Sequence, residues 1–216
     1  HAAADPHNGI NALNALIETF NGINAMRQHI KDEARIHGII THGGDAPNII
    51  PDYASARFFI RAETWKKTEE ISAKVRAIAE GAALATGARV EIERFQNEVK
   101  DFVVTPSLDE VLGEELTAVG ETVILDDKAG KGSTDAGNVS HEVPTAHGYI
   151  KIGPADLIGH THEFREAAKS EQGDHALIAG AKALATTGYR LLTDKDLLEN
   201  IKKDHQRAVE EKLARD

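Results

Sequence analysis

The segment GHTHEF contains two histidines, His160 and His162, just before a predicted helix. Imidazole is the commonest protein ligand for zinc, so this pair could contribute to a metal site. One histidine pair is a weak signal, and a helix-capping or surface role explains it about as well. From the residues alone we infer only a partial metal-site candidate in a chain of mixed helices and strands.

A second group of polar residues lies in the loop GSTDAGN, where Ser133, Thr134 and Asp135 follow a glycine. Such a loop can direct backbone N–H groups and hydroxyls towards an anion or a carboxylate. The competing interpretation is a tight turn with an Asx cap, and the sequence alone favours that interpretation.

Three further residues gain meaning only in context. Asn48 follows Pro47 and precedes an apolar stretch, where it can simply make an Asx turn. Arg61 stands late in a predicted strand and could be an ordinary surface residue. His1 cannot be interpreted by itself. We expect the chain to begin inside a domain, because helical periodicity starts within its first ten residues.

The composition excludes several classes of function. The 216 residues carry a net charge of −10 and no cysteine. A nucleic-acid binder needs a basic face, and thiolate metal sites and disulfides need cysteine. The most apolar window, residues 176–185, is short and contains Lys182, so no segment is expected to span a membrane. The absence of cysteine fits a reducing compartment, and we expect the chain in the cytoplasm.

Residues 1–95 alternate between helical and strand periodicity. We predict helix 8–30, strand 35–44, strand 53–62, helix 65–86 and strand 88–95. Asn8 and Thr64 are the expected N-caps of the two helices, and Gly87 is the expected end of the second. This order predicts an α+β layer in which an antiparallel sheet is backed by two helices.

The rest of the chain predicts part of an α/β sheet. We expect helix 107–119 with a capping box from Ser107 to Glu110, strand 121–125, loop 126–138, strand 147–153, helix 163–188 and helix 194–214. Gly120 should end the first of these helices. Two strands are few for an independent α/β domain, so this part looks like half of a sheet.

Four motifs resemble, in the same order, those of the two-zinc amidohydrolases and exopeptidases, which include carboxypeptidase G, aminoacylase and the amino-acid-conjugate hydrolases. The motifs are HAAADPHNGINAL, APNIIPDYASARFFIRA, GSTDAGNVSHEVPT and HTHEFREAA. They are most similar to the subgroup of β-alanyl-lysine dipeptidase and aminobenzoyl-glutamate hydrolase. The resemblance covers essentially the whole chain.

The resemblance implies a domain organisation. Residues 1–103 would form the lid domain, which also makes the homodimer contact, and residues 104–216 would form the C-terminal half of the α/β catalytic domain. The other half of that domain would precede the chain in the parent enzyme. It would carry an H-x-D ligand pair and the general-base Glu, and no H-x-D occurs in these 216 residues.

The resemblance also implies roles for the candidate residues. His160 would be a metal ligand, whereas His162 is not the expected one. His1 would reach the partner subunit's site and stabilise the oxyanion. Asn48 and Arg61 would bind substrate, with Arg61 suited to a carboxylate. The remaining substrate-side residues would be Ser133, Thr134 and Asp135.

The activity implied is hydrolysis of the amide bond of N-acyl amino acids or dipeptides by a water bound to two divalent metal ions. Zinc is the expected metal, with manganese or cobalt as alternatives. Because this chain has one expected metal ligand, we predict that it is inactive alone. The alternative is a non-catalytic dimerisation or binding module, which would need neither a metal nor an upstream half.

Overall fold

A computed structural model describes residues 1–124 and 132–215. The chain divides into two compact units, His1–Glu98 and Val99–Asp216. The first unit contains, in chain order, a 3-10 turn Pro6–Asn8, α1 Ala12–Met26, a 3-10 turn Arg27–His29, β1 Arg35–His42, β2 Ser55–Arg61 and α2 Trp65–Thr86. The second contains α3 Pro106–Ala118, α4 Ala136–Ser140, α5 His162–Ala168, α6 Glu171–Thr193 and α7 Lys195–Arg215.

The first unit is the predicted α+β layer. Strands β1 and β2 pair antiparallel, with Arg35 opposite Arg61 and His37 opposite Phe59. The side chains of a strand alternate between its two faces. Phe58 therefore packs on the core formed with the helices, whereas Phe59 on the other face is 41% exposed. The core residues of this unit are Ile23, Ala34, Ile36, Ile71 and Val75.

The two helices of this unit match the sequence prediction to different degrees. Helix α2 has the predicted bounds, because the Thr64 hydroxyl accepts a hydrogen bond from the backbone amide of Lys67 and Gly87 adopts a φ of +75°. Helix α1 is shorter than the predicted 8–30. Its N-cap is Asn11, whose side chain accepts from the Asn14 amide, and the prediction of Asn8 as the cap was wrong.

The predicted third strand, 88–95, is not formed. These residues make no backbone ladder, although the structure describes all of them. The segment is attached through side chains instead: the Arg94 guanidinium bonds the Glu69 carboxylate at 2.9 Å, and the Phe95 ring centroid lies 5.3 Å from that of Phe59. Alternation of apolar residues predicts which face a strand would bury, but it does not supply a neighbouring strand.

The second unit is helical in its described part. Helix α3 packs against α6 and α7, and Leu108, Val111 and Ile201 form a buried cluster there. The predicted strand 147–153 is not formed, and neither is the described part, 121–124, of the predicted strand 121–125. Apolar β-rich runs become strands only when another strand supplies hydrogen-bond partners, and neither run has one in the described residues.

The helix boundaries of the second unit depend on polar side chains that periodicity does not reveal. The single helix predicted over 163–188 is two helices, because Ser170 starts α6 as an N-cap that accepts from the Gly173 amide. The predicted Ser107 capping box was wrong: Thr105 is the N-cap residue of α3, and Ser107 bonds Asp204 instead. Gly120, with a φ of +97°, follows α3 as predicted.

The final helix α7, Lys195–Arg215, agrees with the predicted helix 194–214 to within one residue. Among the helices of the described residues, none combines the length and the apolar composition needed to cross a membrane.

Candidate functional site

His1 is exposed, and its ring supports a local turn. Its Nδ1 accepts hydrogen bonds from the backbone amides of Ala3 and Ala4, each at 3.2 Å. A neutral imidazole carries its proton on the nitrogen that is not an acceptor, which here is Nε2. His1 therefore presents Nε2–H as a hydrogen-bond donor.

The His1 segment lies against the segment that contains Asn48. The amide of Ala2 donates to the carbonyl oxygen of Asn48 at 2.9 Å, and the amide of Ile49 donates to the carbonyl of Ala46 at 3.2 Å. Both His1 and Asn48 are exposed. The structure thus brings together two of the residues that the motifs single out, although they lie far apart in the sequence.

Arg61 is the last residue of β2 and is exposed at the end of the two-stranded sheet. Its partner in the strand register is Arg35. Two guanidinium groups on directly opposed residues make this end of the sheet electropositive, and a guanidinium binds carboxylates in a bidentate geometry. The position suits a substrate carboxylate, as the sequence predicts.

Ser133, Thr134 and Asp135 come directly before helix α4. The Thr134 hydroxyl accepts from the Ala136 amide at 3.3 Å, whereas Asp135, at the N-cap position, makes no capping bond with its side chain. Ser133 and Asp135 are exposed. The Asx-cap interpretation of this loop was therefore wrong, and the five-residue helix after it was not predicted. Residues 126–131 of the predicted loop lie outside the described part, where 125–131 are left out.

His160 has a backbone φ of 63°, which is unusual for a residue with a side chain. The left-handed conformation costs a non-glycine residue roughly 1–2 kcal/mol. The Thr161 hydroxyl donates to the carbonyl of Ile158 at 2.8 Å and accepts from the amide of Phe164 at 3.1 Å, so it bridges both sides of His160. His162 is the first residue of α5, and both histidines are exposed.

A metal centre is not complete in this chain. Among residues 1–124 and 132–215, no group of three or more histidines and carboxylates lies close enough to hold an ion. His160 could supply one ligand, but the coordination of zinc in proteins uses three or four. The described residues therefore do not fit a metal site by themselves.

Residues missed in the sequence analysis are buried polar groups near α4. His205, on α7, is 8% exposed, and its Nε2 lies 2.7 Å from the carbonyl oxygen of Ser140. The neighbouring Asp204 accepts from the Ser107 hydroxyl at 2.7 Å and from the Ser107 amide at 3.0 Å. Together with the Arg207 guanidinium, these bonds lower the pKa of Asp204. No local signal in the sequence links residues so far apart.

A second ion-pair group joins α6 to α3. The Arg190 guanidinium lies 2.7 Å from a Glu114 oxygen and 2.8 Å from a Glu115 oxygen. Its hydrogen bond, followed by one from Thr186, lowers the pKa of Glu115. These side chains are paired with one another, and we assign them a structural role.

Comparison with known proteins identifies the first unit. Residues 1–86 match the family model described as the peptidase dimerisation domain. The chain is also similar to the Xaa-Arg dipeptidase of Mus musculus, with 36% identity over 214 residues, and to the human Xaa-Arg dipeptidase, with 35%. Each alignment covers 98% of this chain and 49% of the relative.

A further relative is a component of the p-aminobenzoyl-glutamate hydrolase of Escherichia coli (strain K12). It is 26% identical over 97% of this chain and 55% of its own length. The chain thus spans about half the length of the curated relatives it matches. These matches confirm the resemblance of the four motifs: the chain belongs to the amidohydrolase and exopeptidase family, and its first 86 residues match that family's peptidase dimerisation domain.

Proposed function

We propose that this chain is part of a hydrolase that cleaves the amide bond of dipeptides or N-acyl amino acids. The observation that carries the proposal is the similarity over nearly the whole chain to proteins named Xaa-Arg dipeptidase and p-aminobenzoyl-glutamate hydrolase. Both names describe hydrolysis of an amide bond next to an amino acid.

We assign residues 1–103 to the lid and dimerisation domain and residues 104–216 to the C-terminal half of the catalytic domain. The dimerisation-domain match over 1–86 supports the first assignment. The division of the chain into His1–Glu98 and Val99–Asp216 is compatible with both. We further propose a homodimer formed through the lid. On the cysteine-free composition, we place the protein in the cytoplasm.

The exposed residues of the lid have chemically distinct tasks in this proposal. His1 offers Nε2–H to the oxyanion that develops on the substrate carbonyl, in the site of the partner subunit. One such donor is worth roughly 3–4 kcal/mol of transition-state stabilisation in other hydrolases. Arg61 binds the substrate carboxylate, and Asn48 lies beside the His1 segment to orient the peptide group. Ser133, Thr134 and Asp135 contact substrate from the catalytic domain.

We propose that the complete enzyme uses two divalent metal ions, with zinc ahead of manganese or cobalt, and that His160 is one ligand. Such ions supply a water of lowered pKa and polarise the carbonyl. Because the described residues do not form an ion site alone, no step of the reaction is assigned to a metal held by this chain. The chain by itself is therefore inactive.

A non-catalytic dimerisation module is the second candidate function. It is favoured by the match to a dimerisation domain and by the incomplete metal site among the described residues. The two candidates differ in whether Arg61 and Asn48 have a ligand.

Binding of a dipeptide to the chain separates them. We would titrate an Xaa-Arg dipeptide with a free carboxylate while following the backbone amide resonances of Asn48 and Arg61 by NMR. A hydrolase lid predicts saturable shifts that Arg61→Gln abolishes. Arg57→Gln is the matched control, because Arg57 is an exposed arginine on the same face of β2.

Absence of shifts, or equal loss in both variants, would contradict the substrate role of Arg61 and favour the module. Sedimentation of the same sample tests the homodimer: we expect twice the chain mass, and a monomer at all concentrations would overturn that part of the proposal.

A further inference from the structure

Helix α4, Ala136–Ser140, has only five residues, and its stability must come from its surroundings. Isolated helices shorter than about 12 residues are marginal in water. The helix follows the Ser133–Asp135 loop directly, so its position determines where the backbone of that loop lies. The contacts that hold α4 therefore also position the loop.

Ser140, the last residue of α4, is fully buried. Its hydroxyl donates to the carbonyl of Gly137 at 2.6 Å and accepts from the backbone amide of Val103 at 2.8 Å. Its own carbonyl belongs to the last turn of the helix, whose carbonyl groups have no partner within the helix. A buried carbonyl without a partner would be costly, at about 1–3 kcal/mol.

His205 supplies the partner for this carbonyl. Its Nε2 lies 2.7 Å from the Ser140 oxygen, and a carbonyl can only accept, so Nε2–H is the donor. The imidazole is buried between α7 and α4, and 65 residues separate it from Ser140 in the sequence.

The segment 100–103 holds the other side of α4. The Lys100 amide donates to the Asn138 side chain at 2.8 Å, and the His141 Nε2 donates to the Asp101 carbonyl at 2.8 Å. A Cβ added at Gly137 would collide with the Lys100 carbonyl, so the backbones touch there. Helix α7 reaches the same segment through an ion pair between Lys212 and Asp101.

These contacts give the motif residues Gly137, Asn138, Ser140 and His141 a common purpose, which is to dock α4. The segment 100–103 anchors the body of the helix, and His205 satisfies the carbonyl at its end. The substrate-side loop is thereby fixed by a residue from the last helix of the chain.

We propose that His205 is a positioning residue that fixes α4 and, through it, the Ser133–Asp135 loop against substrate. The role of the loop rests on the proposed function, whereas the role of His205 in holding α4 does not. The two can therefore be tested separately.

The test is residue-resolved amide hydrogen exchange in the 216-residue chain. The reporters are the amides of Gly137 and Asn138, which bond the carbonyls of Thr134 and Asp135. In His205→Leu, which removes the donor, we expect their exchange to rise by at least about ten-fold while amides inside α3 and α6 change much less. His205→Gln keeps an N–H donor at the end of the side chain, and we expect it to restore most of the protection.

The matched control is Ile201→Val, which removes a methyl group from a fully buried residue one turn earlier on α7. This change should raise exchange throughout the second unit without singling out α4. Two results would overturn the proposal: unchanged protection at Gly137 and Asn138 in His205→Leu, or an equal rise in α3, α6 and α4, which a purely structural residue would give. If α4 responds as expected but the dipeptide does not bind, the proposed function fails and the docking of α4 stands.

Discussion

The backbone amide of Ala2 donates a hydrogen bond to the carbonyl oxygen of Asn48 at 2.9 Å. This bond joins the segment that carries His1 to the turn that carries Asn48, and it uses main-chain groups only. The two exposed side chains are thus held near one another without any contact between them being needed. The lid residues of the proposed site are placed by backbone pairing.

Replacing Ala2 with proline tests that placement. Ala2→Pro has no N–H, so we expect residues 1–9 to detach and become sensitive to limited proteolysis. One hydrogen bond is worth about 1 kcal/mol, so the melting temperature of the unit should change little. Ala2→Gly, which keeps the N–H, should resist cleavage like the parent chain. Equal sensitivity of both variants would show that the bond does not hold this segment.

Gly137 and Gly188 should respond to alanine with opposite signs. At Gly137 the new Cβ collides with the backbone carbonyl of Lys100, so we expect a loss of about 2–3 kcal/mol in the free energy of unfolding. At Gly188, inside α6, a Cβ meets nothing within 4 Å, and the helix should gain about 0.5–1 kcal/mol. Urea unfolding of the two variants measures both values. A tolerated Gly137→Ala would mean that α4 does not lie against residue 100.

Asp204 should make the second unit sensitive to acid. Its pKa is lowered by the Ser107 hydroxyl, the Ser107 amide and Arg207, so the folded state binds the proton less tightly than the unfolded chain. The stabilisation is therefore complete above about pH 4 and is lost as the pH falls through the lowered pKa.

Asp204→Asn should cost about 1–3 kcal/mol at pH 7, and the difference from the parent chain should shrink below about pH 3. Urea unfolding as a function of pH measures this dependence. Asp196→Asn, an exposed carboxylate in the first turn of the same helix, should show no comparable effect. A cost for Asp204→Asn that is independent of pH would contradict the assignment of these bonds to the charged carboxylate.

The neighbouring histidines His160 and His162 should also differ in sign when each is changed to glycine. His160 occupies the left-handed region, so glycine should relieve strain and raise stability by up to about 1 kcal/mol. His162 is at the start of α5, where glycine should lower stability by about 0.5–1 kcal/mol. Thermal unfolding distinguishes the two. Destabilisation by His160→Gly would show that its side chain contributes more than its backbone costs.

The sequence predicted helices best where both ends carry a chemical signal. Helix α2 has a threonine cap and a terminal glycine, Thr64 and Gly87, and its bounds were predicted to the residue. Helix α4 was missed because five residues show no periodicity. The break before α6 was missed because Ser170, a cap, sits inside an otherwise continuous helical pattern.

The unconfirmed strands show the limit of periodicity. Residues 88–95 and 147–153 have strand composition but lack a neighbouring strand in the described chain. For the candidate site, motif order indicated His1, Asn48, Arg61 and His160, because the family resemblance carries them. His205 was not predictable, since a lone histidine on an amphipathic helix gives no sign of the carbonyl it will meet.

Zinc titration of the 216-residue chain by calorimetry tests the central claim most directly. If the chain supplies only one ligand to the metal site of a larger hydrolase, no ion should bind tightly and added zinc should not produce dipeptide hydrolysis. Tight binding of two zinc ions per chain would contradict the account, because the chain would then hold the whole metal centre that we assign to the complete enzyme.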